Sequence, residues 1–417
     1  MFFRIFSVLL AVLLLAGCCG DVPAVSTDFQ TKPSIPAESV PVLETTIPTE
    51  PEPTFEPSSV PETTEESTVP PFSVHDYVNT MTLREKIGQL FLVTPEVIPI
   101  DASQPEDIDS FRSALEDDPV GGLVLFTEHL LSPEQVKTFC ETVKDAGKIS
   151  LFLAIDEEGG PVSRLAGHPD FDLPRYESAG AVGADGDPEK ALEMGTSIGS
   201  YLHEYGFNLD FAPDADVNTN PDNPVIGSRA FSSDPQIAAD LARAFADGLN
   251  GPGIIPTFKH FPGHGDTDPD SHAGIAVSRK TAEEMDACEW LPFRGARSDE
   301  LIMVGHIAAP EVTGSEIPAA FSRQMVTDIL KDQLGFSGLV VTDSLSMGAV
   351  TENDSSSEAA LLALEAGCDL LLMPDDLDEA LDGIQAAVEN GDFPEARLDE
   401  TVEKILNFKI SRGIWIP

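Results

Sequence analysis

From residue 73 onward, short runs of Val, Ile, Leu and Phe alternate with longer stretches in which apolar residues recur at helical spacing. Continuous apolar runs are typical of parallel strands that are buried on both faces. Eight such runs lie at 90–93, 122–126, 151–155, 209–212, 255–258, 301–304, 339–341 and 369–373. Eight βα units in about 345 residues predict an α/β fold, a single (β/α)8 TIM barrel over 73–417.

Two segments carry helix signals. Residues 82–90 begin with Thr82, and Glu85 follows three positions later, which is the capping-box pattern that opens a helix. In 399–408, Val402, Ile405 and Leu406 fall on one helical face. We expect the first helix to lead into the barrel and the second to close its outer ring.

Residues 1–19 have the features of an export signal. Arg4 precedes an apolar run at 5–16, which is too short to span a bilayer comfortably and is typical of a signal peptide. The sequence LAGC at 15–18 resembles the bacterial lipobox, in which the cysteine is acylated and becomes the mature N-terminus. The resemblance implies that Cys18 carries a lipid anchor and that the domain is extracytoplasmic. An uncleaved anchor or plain secretion is the alternative.

Residues 20–72 are rich in Pro, Thr, Ser and Glu and nearly lack basic residues. Such a composition cannot bury enough apolar area to offset the entropy lost on folding. We expect a disordered, extended spacer. At about 3.1 Å per residue it would hold a domain on the order of 100 Å from a lipid surface.

The charge balance bears on the choice of partner. The formal net charge is −48, from 72 acidic and 24 basic residues. Nucleic-acid binding needs clustered Lys and Arg, so this balance argues against nucleic acid as a partner. A neutral or cationic substrate is more compatible with such a surface.

Besides Cys18 and the adjacent Cys19, the cysteines are Cys140, Cys288 and Cys368, and these three lack a CxxC or metal-ligand spacing. Their apolar surroundings favour buried thiols that act as small hydrophobes. A disulfide stays open as an alternative, because an exported protein lives where one can form.

Titratable residues follow most of the predicted strands. Asp156 follows the third, Asp214 and Asp216 the fourth, Lys259 and His260 the fifth, His306 the sixth, Asp343 the seventh and Asp375 the eighth. In a parallel barrel the carboxyl ends of all strands lie on one face, where barrel active sites are built. The sequence therefore predicts that the chemistry is gathered on that face.

The richest segment is KHFPGHGDTDPDSH at 259–272, in which two glycines and two prolines exclude a regular helix. This loop closely resembles the signature loop of glycoside hydrolase family 3, in its bacterial β-N-acetylglucosaminidase branch. Similar segments occur in the family's order: MTLREKIGQLF, IDEEGGPVSRL, NLDFAPDADVN, NPVIGSRAF, LIMVGH and GFSGLVVTDSLSMGAV. Together they cover residues 80 to about 412, essentially the whole predicted domain.

The resemblance implies a retaining hydrolase that releases terminal β-linked N-acetylglucosamine from peptidoglycan fragments or related glycans. Asp343 would attack the anomeric carbon, and His272, oriented by Asp270, would be the general acid/base. The positions that match the family's sugar-binding residues are Asp156, Arg229, Lys259 and His260. The family pattern supplies no cofactor or metal, and we expect a monomer acting on a small carbohydrate.

The residue types suit this chemistry. Retaining hydrolysis needs an ionised carboxylate and a second group that first gives and then takes a proton. Nearby cations can keep Asp343 ionised, and a histidine has a pKa of about 6.5, suited to both proton transfers near neutrality. Two positions depart from the family: Glu157 replaces a usual glutamine and Asp214 a usual apolar residue. We expect either to alter local charge near the pocket.

Several alternatives stay open. Asp343 could cap a helix, Asp270 and His272 could be solvated loop residues, and the remaining positions could form structural ion pairs. A metal site at His260, His264 and His272 lacks the HExxH spacing. The same family also includes β-glucosidases and β-xylosidases, and phosphorolysis is a variant of the reaction. A lipid-anchored sugar-binding protein without catalysis is the non-enzymatic alternative.

Overall fold

Eight parallel strands form the centre of the fold. The computed structural model describes residues 72–267 and 274–417. Within them the barrel strands are β1 Phe91–Val93, β2 Gly122–Leu125, β3 Phe152–Ile155, β4 Leu209–Asp210, β5 Ile255–Phe261, β6 Leu301–Val304, β7 Leu339–Thr342 and β8 Leu371–Leu372. Each strand overlaps one of the eight predicted runs. The predicted fold class is confirmed.

The sheet closes on itself. The strands pair in chain order from β1 to β7, and β8 pairs with β1, with Phe91 opposite Leu371. A parallel bridge between Val341 and Leu370 joins β7 to the start of the last strand. Closure removes the exposed sheet edges and brings the carboxyl ends of all eight strands to one mouth of the barrel.

Helices surround the strands. In the described part of the chain they span Val74–Val78, Leu83–Gly88, Ile108–Asp117, Pro133–Lys144, Ala179–Val182, Pro188–Tyr205, Pro235–Asn250, Ala282–Ala287, Pro310–Thr313, Gly348–Thr351, Ser356–Ala366, Leu377–Asn390 and Glu395–Ser411. Gln324–Gln333, after β6, is a π-helix. Two small sheets pair Glu157–Gly159 with Val162–Ser163 and Ala276–Val277 with Ile307–Ala308. Among the described residues, no helix combines the length and apolar character needed to cross a membrane.

Both predicted helix signals are confirmed. Thr82 caps the helix Leu83–Gly88, and its backbone N–H donates to the Glu85 carboxylate at 2.8 Å in a capping box. The last helix, Glu395–Ser411, is longer than the predicted 399–408, and its Val402, Ile405 and Leu406 are fully buried against the barrel.

A buried lysine lies at the amino-terminal end of the barrel. Lys409 Nζ donates to Gly121 O at 2.8 Å and to Gln89 Oε1 at 3.1 Å. Gln89 lies two residues before β1 and Gly121 directly precedes β2, so these hydrogen bonds connect the last helix to the start of the barrel. Because the ammonium loses its hydration, burial lowers the pKa of Lys409 to about 7.

The question of a disulfide is settled by the positions of the thiols. Cys140, Cys288 and Cys368 are all free. Cys140 and Cys368 are buried as predicted, whereas Cys288 is half-buried at the end of the helix Ala282–Ala287. Burial raises the pKa of Cys288 to about 11, so this thiol is protonated at neutral pH.

Candidate active site

The predicted site residues that the structure describes lie at or near the carboxyl ends of barrel strands, except Arg229, which lies on the short helix Gly227–Arg229 after β4. Asp156 directly follows β3, and Asp343 directly follows β7. The expectation that Lys259 and His260 follow the fifth strand is wrong, because β5 continues to Phe261. A register shift against β6 occurs in this stretch. Such irregularities redirect side chains, and they are common next to active sites.

Lys259 is a buried cation at the centre of the site. Its Nζ lies 2.7 Å from Asp156 Oδ1 and 2.6 Å from Glu158 Oε1. Glu158 also accepts two hydrogen bonds from Arg229, from Nε at 2.9 Å and from Nη2 at 2.7 Å. Paired bonds of this kind fix a guanidinium in both position and plane. Glu158 therefore holds two of the predicted sugar-binding cations together.

Sequence analysis did not single out Glu158. Glu157–Gly159 is a short strand, and side chains alternate along a strand, so Glu158 shares a side with Asp156 while Glu157 faces the opposite way. The alternation in IDEEGG was the signal that could have found it. Burial raises the pKa of Glu158, but the charges and hydrogen bonds of Lys259 and Arg229 outweigh that effect and bring it to about 2.

Glu157 lies beneath the site rather than in it. Its carboxylate accepts hydrogen bonds from Leu165 N at 2.8 Å, Ala166 N at 3.1 Å and the Tyr201 hydroxyl at 2.8 Å. Burial raises its pKa in spite of these bonds. The side chain turns into the core, so Glu157 does not line the pocket, and its effect on local charge near the pocket stays a prediction.

Asp214, in contrast, does contribute charge next to the site. Its Oδ2 lies 3.5 Å from Arg229 Nε, and the side chain is almost fully buried. Burial and the neighbouring negative charge of Asp216 raise the pKa of Asp214 to about 7. This carboxyl therefore changes its protonation state near neutral pH.

His260 forms a buried pair with Asp216. Its Nδ1 lies 2.7 Å from Asp216 Oδ2, and the other oxygen of that carboxylate accepts the backbone N–H of His264. Burial lowers the pKa of His260, but the hydrogen bond to Asp216 outweighs it, and the net pKa is raised. Since Nδ1 is occupied, Nε2 is the ring atom left to meet a ligand. It lies 3.5 Å from Arg229 Nη2.

Asp343 is held by the ends of two strands and by its own chain neighbour. Its backbone N–H donates to Val304 O at 2.9 Å, and its Oδ1 accepts the Ser344 N–H at 2.7 Å. Burial raises the pKa of Asp343. The nearby His260 and His306 and the Ser344 hydrogen bond lower it by more, so the net pKa lies below its ordinary value. The carboxyl is therefore ionised at neutral pH, as a nucleophile must be.

Arg164 is a second residue that sequence analysis missed. Its Nη2 lies 3.6 Å from Asp156 Oδ2, and its guanidinium stacks on the Phe126 ring with 5.4 Å between Cζ and the ring centroid. One third of the side chain is exposed, so the guanidinium lies at the rim of the site. Its position eight residues after Asp156, across the hairpin, could not be read from local spacing.

Asp270 and His272 lie outside the described residues, so their predicted roles stay predictions. The described residues on either side of the gap pack against other segments. Before the gap, His264 O accepts a hydrogen bond from Asn223 Nδ2 at 2.8 Å. After it, a Cβ placed on Gly274 would lie 3.8 Å from the backbone of Ala349, on the helix that follows Asp343.

One group of described residues has ligand atoms close enough for a metal ion. These atoms belong to Asp214, Asp216 and His260 and lie within 4.8 Å of one another. However, His260 Nδ1 is already bonded to Asp216, and the Arg229 guanidinium already lies beside Asp214. The positive charge a metal would bring is thus supplied by the protein. The trio does not fit a metal centre.

Comparison with known proteins agrees with this architecture. The profile of the glycosyl hydrolase family 3 N terminal domain matches residues 82–408. A beta-hexosaminidase of Xylella fastidiosa (strain 9a5c) is 35% identical over 279 residues, which cover 65% of this chain and 81% of that protein. Beta-hexosaminidase A of Pseudoalteromonas piscicida is 33% identical over 273 residues, which cover 61% of this chain but only 46% of that protein.

A solved structure is similar in both fold and sequence. The glycoside hydrolase family 3 beta-N-acetylglucosaminidase from Paenibacillus sp. str. FPU-7 has a TM-score of 0.74 and 35% sequence identity, covering 80% of this chain and 63% of that chain. This chain thus spans less than two thirds of two of these three relatives. The profile match covers most of the barrel and includes every described residue of the site. The chain belongs to glycosyl hydrolase family 3.

Proposed function

We propose that this chain is a retaining β-N-acetylhexosaminidase that releases terminal β-linked N-acetylglucosamine from peptidoglycan fragments or related glycans. The observation that carries the proposal is the position of Asp343 directly after β7, on the barrel face that also holds the cluster of Lys259, Glu158 and Arg229. The relatives named beta-hexosaminidase, and the Paenibacillus enzyme named beta-N-acetylglucosaminidase, support the substrate class.

The buried cluster suits the binding of sugar hydroxyls. Lys259 and Arg229 offer N–H donors, Asp156 offers carboxylate acceptors, and His260 offers Nε2. Each group is already fixed by an ion pair, so little side-chain freedom is lost when a sugar binds. The proposed pocket is therefore organised before the substrate arrives.

In the proposed reaction, an oxygen of Asp343 forms a bond to the anomeric carbon as the bond from that carbon to the leaving oxygen breaks. His272, as imidazolium, gives its proton to the leaving oxygen, and Asp270 supports the charged ring. His272 then takes a proton from water, whose oxygen bonds to the anomeric carbon and releases Asp343. No added oxidant, metal or cofactor is needed to balance these steps.

The test is turnover of p-nitrophenyl N-acetyl-β-D-glucosaminide. Asp343→Asn and His272→Ala are each expected to lower kcat by about 10³-fold or more, since each removes a group that makes or breaks a bond. The exposed Asp332 and His203 provide the controls Asp332→Asn and His203→Ala, which should keep wild-type rates. A preference for the glucoside over the N-acetyl sugar would contradict the substrate class.

Phosphorolysis is distinguished by the product. A histidine acid/base carries no negative charge that would repel an incoming phosphate, so both reactions suit the proposed residues. Turnover is therefore measured with and without inorganic phosphate. Free N-acetylglucosamine in both conditions supports hydrolysis, and a sugar 1-phosphate formed only with phosphate would replace that part of the proposal.

We further propose that the enzyme is exported and anchored to the bacterial cell membrane through a lipid on Cys18. The proposal rests on the signal-like residues 1–19 and the lipobox-like LAGC, which lie outside the described residues. The protein should partition into the membrane fraction and incorporate a clickable fatty acid, and Cys18→Ala should abolish both. Labelling that persists in the Cys18→Ala variant would contradict the anchor.

A further inference from the structure

His306 is a buried histidine next to Asp343 to which the proposed mechanism gives no role. It follows β6 by two residues, and only 4% of its surface is exposed. The preceding Gly305 donates its N–H to Phe261 O at 2.8 Å. A Cβ on Gly305 would lie 3.3 Å from His260 Cβ, so the segment packs directly against β5.

The hydrogen bonds of His306 fix its tautomer. Its Nε2 lies 3.0 Å from Ser344 O, and because a carbonyl oxygen only accepts, Nε2 carries the proton. Burial lowers the pKa of His306 in spite of the nearby Asp343, so the ring is neutral at neutral pH. Among the described residues, its Nδ1 is buried and has no hydrogen-bond partner.

In the described part of the chain, few charged groups surround the ring. Within 72–267 and 274–417, the charge that acts on the ring is that of Asp343, on the turn after β7, and His260 packs against the neighbouring Gly305. The Phe321 ring packs against His306, with 5.7 Å between ring centroids. Protonation of His306 would therefore place a cation directly beside the Asp343 carboxylate.

Ser344 connects the histidine to that carboxylate. Its carbonyl accepts from His306, while its N–H donates to Asp343 Oδ1 at 2.7 Å. The next residue, Leu345, donates its N–H to Leu372 O on β8 at 2.8 Å. The turn that carries Asp343 is thus fixed from β6 by a side chain and from β8 by the backbone.

We propose that His306 is a positioning residue for Asp343. Its Nε2–H holds the Ser344 carbonyl, so that the Ser344 N–H keeps the Asp343 carboxylate aimed at the anomeric carbon. A ring without charge leaves that carboxylate free to attack. The inference rests on the proposed role of Asp343 as the nucleophile.

Two substitutions separate hydrogen bonding from volume. In His306→Gln the amide nitrogen can replace Nε2 as the donor to Ser344 O, whereas His306→Phe fills the space without a donor. His306→Phe should lower kcat by about 10²-fold with KM nearly unchanged, the scale expected when a reacting group shifts by about 1 Å. His306→Gln should restore most of the wild-type kcat.

The pH profile adds a readout that loss of structure would not produce. Because glutamine does not titrate, the acidic limb of kcat/KM should move to lower pH in His306→Gln. In the wild type, ¹⁵N NMR of labelled histidines should detect a neutral Nε2–H ring that disappears in His306→Gln. This signal tests the proposal even if His306→Phe fails to fold.

Three results would overturn the proposal: wild-type kcat in His306→Phe, equal damage in both variants, or a charged or Nδ1–H ring for His306 in the wild type. If the wild type prefers another β-glycoside, the proposed substrate fails, and the same variants are compared on that glycoside. If Asp343→Asn keeps its activity, the nucleophile assignment fails instead.

Discussion

Replacing Glu158 with glutamine tests the ion cluster that organises the site. Glu158 is buried, and its ionised form is stabilised by Lys259 at 2.6 Å and by the paired bonds of Arg229. A pKa lowered from 4.5 to about 2 corresponds to about 3 kcal/mol that favours the charged carboxylate in the folded state. Glu158→Gln should therefore lower the free energy of unfolding at pH 7 by roughly 3 kcal/mol.

The pH dependence of this loss follows from linkage. Because the folded-state pKa lies below the unfolded value, the contribution is fully present above about pH 4.5 and is lost as pH falls toward 2. The difference between wild type and variant should shrink over that window. Urea unfolding, followed by the fluorescence of Trp290 and Trp415, measures it at each pH.

A surface substitution provides the control. Glu283 is exposed, and Glu283→Gln should change the free energy of unfolding by less than about 0.5 kcal/mol. The electrostatic reasoning would be refuted if Glu158→Gln were equally mild at pH 7. It would also be refuted by a large loss that stayed constant from pH 7 to pH 3.

Three further substitutions test other features of the structure. Arg164→Met removes the guanidinium at the rim beside Asp156 and should raise KM by about 10-fold with a smaller change in kcat. Lys409 has a folded pKa of about 7 against 10.5 unfolded, so wild-type stability should rise by roughly 3 kcal/mol relative to Lys409→Met from pH 7 to 10. Asp214 has a folded pKa of about 7 against 3.8, so wild-type stability should fall by roughly 4 kcal/mol relative to Asp214→Asn from pH 4 to 8. Flat differences across either pH range in urea unfolding would contradict the burial argument.

The barrel could be predicted because its strands are buried on both faces, so each is a continuous apolar run in the sequence. The end of β5 could not be predicted in this way. Lys259 and His260 are polar, yet they lie within the strand because each has acidic partners in the folded protein. Lys259 pairs with Asp156 and Glu158, and His260 pairs with Asp216. A strand end is inferred where apolar residues stop, and that inference fails where ion pairs replace them.

The pairing of Asp216 with His260 could not be predicted from local sequence either, although both residues follow apolar runs that predict strands. It depends on the parallel bridge between Asp214 and Lys259, which brings two segments 45 residues apart side by side. The burial of Lys409 could not be predicted either, because a lysine on an amphipathic helix is expected to face solvent. Here it is buried beneath the barrel, with backbone and amide oxygens as its partners.

The central claim is that Asp343 forms a covalent bond to the sugar. A fluorinated N-acetyl-β-glucosaminyl fluoride should glycosylate Asp343, with loss of the anomeric fluoride, faster than the intermediate is hydrolysed, and peptide mass spectrometry then locates the label. We expect one sugar per chain, on the peptide that contains Asp343, and no label in Asp343→Asn. Turnover without any trapped sugar, or a label on another residue, would contradict it.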